Sequence, residues 1–245
     1  MSKIPITAHL IELRKRLVHA AFAILIGFGI AYSKSDMLLR WFTQPLVNAL
    51  PVGQRKLIFT GLAEAFMVHI HVSLVAGIII VLPYLFYQIW LFIGPGLYKT
   101  EQQAALPIIA SACGLFATGF GFAYYIVFPI GCRFFASYNT DYLMLLPSLK
   151  EYLAFAWRFL LMFGIVFELP LVSYILSKIG IITGKMLSQY RRYAIVAIFI
   201  IAAVFTPPDV FSQMMMALPL LVLYEISIWV AHIFGKKKAP EADAQ

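Results

Sequence analysis

Three carboxylates stand where a carboxylate can do unusual chemistry. Glu168 lies in the middle of the apolar run FLLMFGIVFELPLVSYIL, Phe159 to Leu176. An acid at the centre of a membrane helix costs roughly 2.5–3.5 kcal/mol on insertion scales, so it is rare and functional by default. Its chemistry there is a hydrogen bond to a polar group on another helix, worth roughly 0.6–2 kcal/mol in lipid. An acid held in hydrocarbon is also a candidate for proton coupling. Glu12 and Glu101 are the other two, the principal acids of a face otherwise rich in Lys and Arg. Two carboxylates on such a face suit a cationic ligand. A pair of guanidinium groups suits them best, because each acid can accept a bidentate fork.

Both acids also have a local explanation. Glu12 and Arg16 are an i,i+4 pair worth a few tenths of a kcal/mol. Thr100 and Gln103 match a capping box, which puts Glu101 in the first turn of a helix, where an acid favours the macrodipole. Among the remaining polar residues, Gln88 is a candidate for a bond across helices. In TPPDVFSQ, Thr206 to Gln213, the two prolines stop one helix, and Asp209 or Ser212 can cap the next. His69 and His71 face nearly opposite sides of one helix, which is poor for joint metal ligation. Cys113 and Cys132 form no CxxC pair and read as buried thiols, so no metal or cofactor is expected. There is no GxxxxGK[ST] loop, no HExxH and no GxSG, so neither nucleotide-driven nor protease chemistry, and no enzyme, is expected.

The elements that must position these residues are membrane helices. Of 245 residues, 62% are hydrophobic and 12% charged, against about 25% charged in a soluble domain. Apolar stretches follow one another with short polar links, which predicts one membrane domain over 1–235 and a polar tail over 236–245. The first apolar run, from near Leu17, has no small-residue cleavage site, so no cleavable signal peptide is expected. A helix needs about 20 apolar residues to cross the hydrocarbon. Six candidates fit: 18–34, 64–93, 104–128, 151–177, 192–205 and 211–233, the last two reading as short.

A net charge of +8 would suggest nucleic acid in a soluble protein; here the positive-inside rule accounts for it. Twelve Lys and Arg fall on the side of Lys3, Arg14, Lys15, Arg16, Lys99, Lys178, Lys185, Arg191, Arg192 and Lys236 to Lys238. Six fall opposite, at Lys34, Arg40, Arg55, Lys56, Arg133 and Lys150. That count predicts cytoplasmic termini.

Finer features follow. The stretch HLIELRKRL, His9 to Leu17, has Leu10, Leu13 and Leu17 on one helical face, which predicts an amphipathic helix at the interface before the first span. Pro83, Pro107, Pro170 and Pro219 predict kinks and a concave bundle. Ala110, Gly114 and Thr118, like Ala117 and Gly121, are spaced by four, as small residues are where membrane helices approach closely. Shifted by 87 residues, Glu64 to Tyr87 lies on Glu151 to Tyr174 with seven of 24 positions identical. Gly77 falls on Gly164, Leu82-Pro83 on Leu169-Pro170, and Val81 on Glu168. The second copy keeps the Leu-Pro kink and adds the acid.

Taken together, HLIELRKRL, YQIWLFIGPGLYKTE at 87–101, FELP in the fourth helix, TPPDVFSQ and MALPLLVLYE at 217–225 resemble the TatC family over nearly the whole chain. That family is the multi-spanning core of the twin-arginine protein translocase, which exports folded proteins using the proton-motive force. The resemblance implies that Glu12 and Glu101 receive the two arginines of a signal peptide, supported by Arg14, Phe92 and Pro95. It implies that Glu168, with Gln88 as a second intramembrane polar residue, meets the helix of a TatA/TatB-type single-span subunit. Pro45 and Asp209 belong to the extracytoplasmic cap. A multi-pass protein of the bacterial inner membrane follows, a homo-oligomer within a hetero-complex, bathed in lipid and binding no nucleic acid. One departure is His71, where the family often has lysine. The rival reading, a proton-coupled small-molecule carrier, also uses a midplane acid but needs a polar path that few residues here can line.

Overall fold

The computed structural model describes residues 6–51, 56–59, 61–93, 105–140 and 145–235, and leaves aside the side chains of 6–9 and 93. The described residues are helical throughout, joined by turns and one isolated parallel bridge. They form α1 Ile6–Tyr32, α2 Ser35–Ala49, α3 Glu64–Ile80 and α4 Leu82–Ile93. Next come α5 Ala105–Phe122, a π-helical turn Ala123–Val127, α6 Phe128–Ala136, α7 Leu149–Val166 and α8 Leu169–Ile179. The last are α9 Gly184–Gln189, α10 Arg191–Phe205 and α11 Val210–Phe234.

Among the described residues, four stretches are long and apolar enough to cross a membrane: Leu10–Tyr32, Ala105–Ala136, Leu149–Ile179 and Val210–Phe234. The pair α3 and α4 makes a fifth if its 57° bend is taken within one span. With 15 residues, α10 rises only about 22 Å and is short, as expected. The expectation that the last helix is short as well is corrected: α11 has 25 residues. Its apolar sequence meets no helix stop before Gly235, and Pro219 sits inside it without a break.

Four further expectations change. The amphipathic N-terminus is no separate element, because α1 runs unbroken from Ile6 to Tyr32; the segment contains no proline, and its first glycine is Gly27. The third span continues beyond 128 to Ala136 through the π turn. Pro129 has no N–H to offer Tyr125, and the widened turn just before it takes up that mismatch. Pro107 falls in the first turn of α5, where an absent N–H costs nothing. Finally, α2 is an extra amphipathic helix in what read as a loop, burying Phe42, Thr43, Pro45 and Leu46.

The chain divides into two compact units, one of residues 1–114 and 132–157, the other of 115–131 and 158–245. In the first, α1 crosses α3 where two glycines meet. A Cβ on Gly77 would stand 2.5 Å from the Phe28 nitrogen, and one on Gly27 2.5 Å from the Gly77 oxygen. Around that crossing Val68, Val72, Val75 and Ala76 are buried. The Tyr152 hydroxyl donates to the Phe42 oxygen at 2.8 Å, fixing α7 to α2.

In the second unit, Phe159 and Phe163 lie 5.0 Å apart between ring centroids and are joined by Phe122 and Phe128. Here too a glycine sets the approach: a Cβ on Gly164 would meet the Phe116 ring at 2.5 Å. Gly119 likewise packs against Phe167 and the Phe163 carbonyl, whereas a Cβ on Gly114 or Gly121 would meet nothing within 4 Å. The close-packing face of α5 is therefore the one carrying Gly119, on the other side of the helix from the spaced-by-four pattern. Gly77 and Gly164, paired by the 87-residue shift, are both close-approach points, and each precedes a Leu-Pro break. Outward side chains such as Leu17, Phe22, Leu25 and Ile26 of α1 are exposed, as suits a surface solvated by lipid.

Gly77→Leu should overpack this crossing and destabilise the protein by about 1–3 kcal/mol or more, whereas Gly29→Ala, with open space around its Cβ, should be nearly neutral. Thermal unfolding in detergent, followed by fluorescence-detected size exclusion, separates the two; equal melting temperatures would refute the glycine contact.

Candidate functional site

Glu12 and Arg16 stand one turn apart on α1, and Gln88 and Phe92 one turn apart on α4. The 57° bend ahead of Pro83 carries α4 back to the N-terminal half of α1, and Arg16 joins the two. Its Nη2 donates to Glu12 Oε1 at 3.1 Å and its Nη1 to Gln88 Oε1 at 3.4 Å. Gln88 is buried, while Arg16 and Glu12 are only 25% and 31% exposed. Arg16 Nε is buried without a hydrogen bond among the described residues. The i,i+4 pair read from sequence is thus present. It leaves Glu12 acceptor capacity, since a carboxylate can take about four hydrogen bonds. Gln88, grouped with Glu168 on sequence grounds, bonds Arg16 instead. Phe92 is half-buried one turn beyond it, and Arg14 is exposed. Glu101, Pro95 and the Thr100 capping box lie outside the described residues, as does the tail from 236.

Glu168 occupies the break between α7 and α8. Pro170 offers no N–H to Val166, and the backbone tightens: Glu168 N bonds Ile165 O at 3.1 Å before Val172 N resumes the helix on Glu168 O at 2.9 Å. Its side chain makes no cap bond. Oε1 is buried and has no hydrogen-bond partner among the described residues, and the Phe116 backbone lies against the carboxyl. A buried acceptor without a donor costs about 1–3 kcal/mol.

At the turn between α10 and α11, Asp209 is the cap. Its Oδ1 accepts from Ser212 N at 2.7 Å. Gln213 Nε2 donates to the Phe199 oxygen of α10 at 3.1 Å. Pro45 is buried inside α2.

Sequence reasoning missed two constellations. Glu64, at 8% exposure, accepts from Gly61 N at 3.1 Å, Lys150 N at 3.0 Å and Ser148 Oγ at 3.5 Å. Beside it Ile58 bridges to Ser148, with Leu149 N bonding Ile58 O at 2.8 Å. The half visible in sequence was Gly61-x-x-Glu64, a capping-box spacing. The second is a bidentate pair: Arg191 Nε and Nη2 reach Glu225 Oε1 and Oε2 at 2.7 and 2.9 Å. It ties the start of α10 to α11, next to Tyr224, whose hydroxyl donates to the Leu187 oxygen at 2.8 Å.

The model of the family "Sec-independent protein translocase protein (TatC)" matches residues 8–219. The Sec-independent protein translocase protein TatC of Desulforapulum autotrophicum is 48% identical over 96% of this chain and 87% of its own. The one from Magnetococcus marinus is 41% identical over 99% and 89%. A crystal structure of the twin arginine translocase receptor TatC superposes with a TM-score of 0.82 at 39% identity, covering 91% of this chain and 97% of that one. All three are translocase proteins, and the comparisons do not favour the carrier reading.

Glu64→Ala should leave the Gly61 and Lys150 N–H groups without the carboxylate that accepts them, loosening the turn before α3 from the start of α7. Hydrogen exchange at the Lys150 amide should accelerate, with Glu64→Gln intermediate. Exchange unchanged in the alanine variant would show that the carboxylate does not hold this loop.

Proposed function

The chain belongs to the TatC family, and on that premise we propose that it is the core subunit of a twin-arginine translocation system. It binds twin-arginine signal peptides and nucleates a translocase that exports folded proteins on the proton-motive force. The observation that carries the reading is the Glu12–Arg16–Gln88 chain. A carboxylate there already holds a guanidinium at hydrogen-bond distance, so the geometry that a signal-peptide arginine needs is built in. Glu101 supplies the second carboxylate, and Arg14, Phe92 and Pro95 flank the patch.

The setting is the bacterial inner membrane, with six helices, both termini cytoplasmic and the tail from 236 in the cytoplasm. Glu168 meets the single helix of a TatA/TatB-type subunit. Its unpartnered Oε1 supports that role, because a donor on the incoming helix removes the cost of a bare buried acceptor. The bond is worth roughly 0.6–2 kcal/mol, enough to bias docking and weak enough to release. Pro45 and Asp209 belong to the opposite, extracytoplasmic side. Several copies act together within the hetero-complex, and the whole works without nucleotide or other cofactor.

Photocross-linking of a twin-arginine signal peptide to the purified protein tests the receptor patch. The cross-link should fall in Glu12→Ala with Glu101→Ala, and equally with a twin-lysine peptide on the native protein. An unchanged cross-link in the double variant would leave these acids as a helix pair and a dipole partner only. For proton coupling, Glu168→Gln should slow transport severalfold in inverted vesicles while substrate binding persists; transport at the native rate would remove Glu168 from the energetic cycle.

A further inference from the structure

In the first unit, away from the signal-peptide patch, a cleft of about 130 Å³ opens between α3 and α7. Val68 and Val72 line it from α3, and Leu153 and Trp157 from α7. His71 and Lys150 border it, both are exposed, and neither side chain has a partner among the described residues. A wider cavity of about 540 Å³, bordered by the same two side chains, adjoins it at the start of α3. Glu64 borders this outer cavity only, and its oxygens are turned to Gly61, Ser148 and Lys150 backbone donors.

The chemistry therefore changes along the cleft. One end offers an ammonium and an imidazole, the other only hydrocarbon. Lys150 is the second residue of the Leu149–Ile179 span, so its charge sits at the end of a membrane helix, where a lysine reaches the headgroup level. Trp157 lies two turns deeper, an amphipathic ring of the kind that anchors near the interface. A helix with its side chains is about 10–12 Å across, too wide for a cleft this small, whereas an acyl chain is slender enough for part of its length to lie in it. Lys150 binds phosphate as a point charge, and a choline or ethanolamine group would bring a second cation beside it.

We propose that this cleft holds one anionic phospholipid. Its phosphodiester sits on Lys150 and His71, and one acyl chain lies against Val68, Val72, Leu153 and Trp157.

Native mass spectrometry of the whole protein, released from micelles containing equal amounts of phosphatidylglycerol and phosphatidylcholine, tests it. The native protein should retain phosphatidylglycerol about fivefold over phosphatidylcholine, matching the roughly 1 kcal/mol that one lysine contributes near anionic lipid. Lys150→Gln, an exposed side chain whose loss leaves the fold intact, should abolish that preference. Ala154→Trp, which fills the cleft and spares Lys150 and His71, should lose the bound lipid altogether. Equal retention of the two lipids by the native protein, or an undiminished preference in Lys150→Gln, would overturn the proposal. So would a dimer that forms without lipid and is blocked by Ala154→Trp, which would give the cleft to a second copy of the chain.

Discussion

Hydrocarbon offers a peptide group no water to bond, so a spanning chain must satisfy its own N–H and C=O groups. Most features of this structure follow from that. The spans are helical, and the irregular backbone is held by named side chains. Where Pro170 breaks the ladder, Glu168 N takes a tighter bond to Ile165. Where α3 begins, Glu64 gathers the loop N–H groups of Gly61 and Lys150. Where α11 begins, Asp209 takes Ser212 N. Only Glu168 Oε1 and two ring or guanidinium nitrogens, Arg16 Nε and His69 Nδ1, remain as buried side-chain polar atoms without a bond among the described residues.

With backbone needs met inside each helix, association depends on how closely helices approach. Lipid tails are as apolar as leucine, so burying leucine between helices gains little, and shape decides. Glycine is then a contact residue. Gly27 against Gly77, and Gly164 under the Phe116 ring, set the two crossings, and the aromatic cluster around Phe159 and Phe163 fills the space beside the second. That glycine and the Leu-Pro break recur at an 87-residue shift means that the same local solution is used twice. The two copies differ where Val81 is replaced by Glu168.

Much of this was legible in the sequence, because it rests on short-range rules. Apolar length gave four spans and the bent pair α3–α4, Leu-Pro gave both breaks, TPPDVFSQ gave a cap from Asp209 or Ser212, and the i,i+4 spacing gave the Glu12–Arg16 pair. What was illegible depends on partners distant in sequence. Arg16 and Gln88 are 72 residues apart, and Glu64 and Lys150 are 86 apart; neither residue of such a pair announces the other. The close-packing face of α5 was misread for a related reason. Spacing by four identifies a stripe of small residues but not which neighbour it faces, and Phe163 and Phe167 selected Gly119. The extent of α11 was legible, its 25 residues overlying the apolar run 211–233; only the expectation that it is short was wrong.

The continuity of α1 has a mechanical consequence. Its 27 residues make a rod about 40 Å long, pinned to α3 at Gly27. Glu12 lies about 22 Å from that pin on one side, and Tyr32 about 7 Å on the other. The rod is also tied to α4 between its N-terminus and that pin, where Arg16 bonds Gln88. A displacement of its Glu12 end would therefore load two contacts in turn, the polar one at Arg16 and the glycine one at Gly27, before it reached the short turn Ser33–Lys34 that joins the rod to α2.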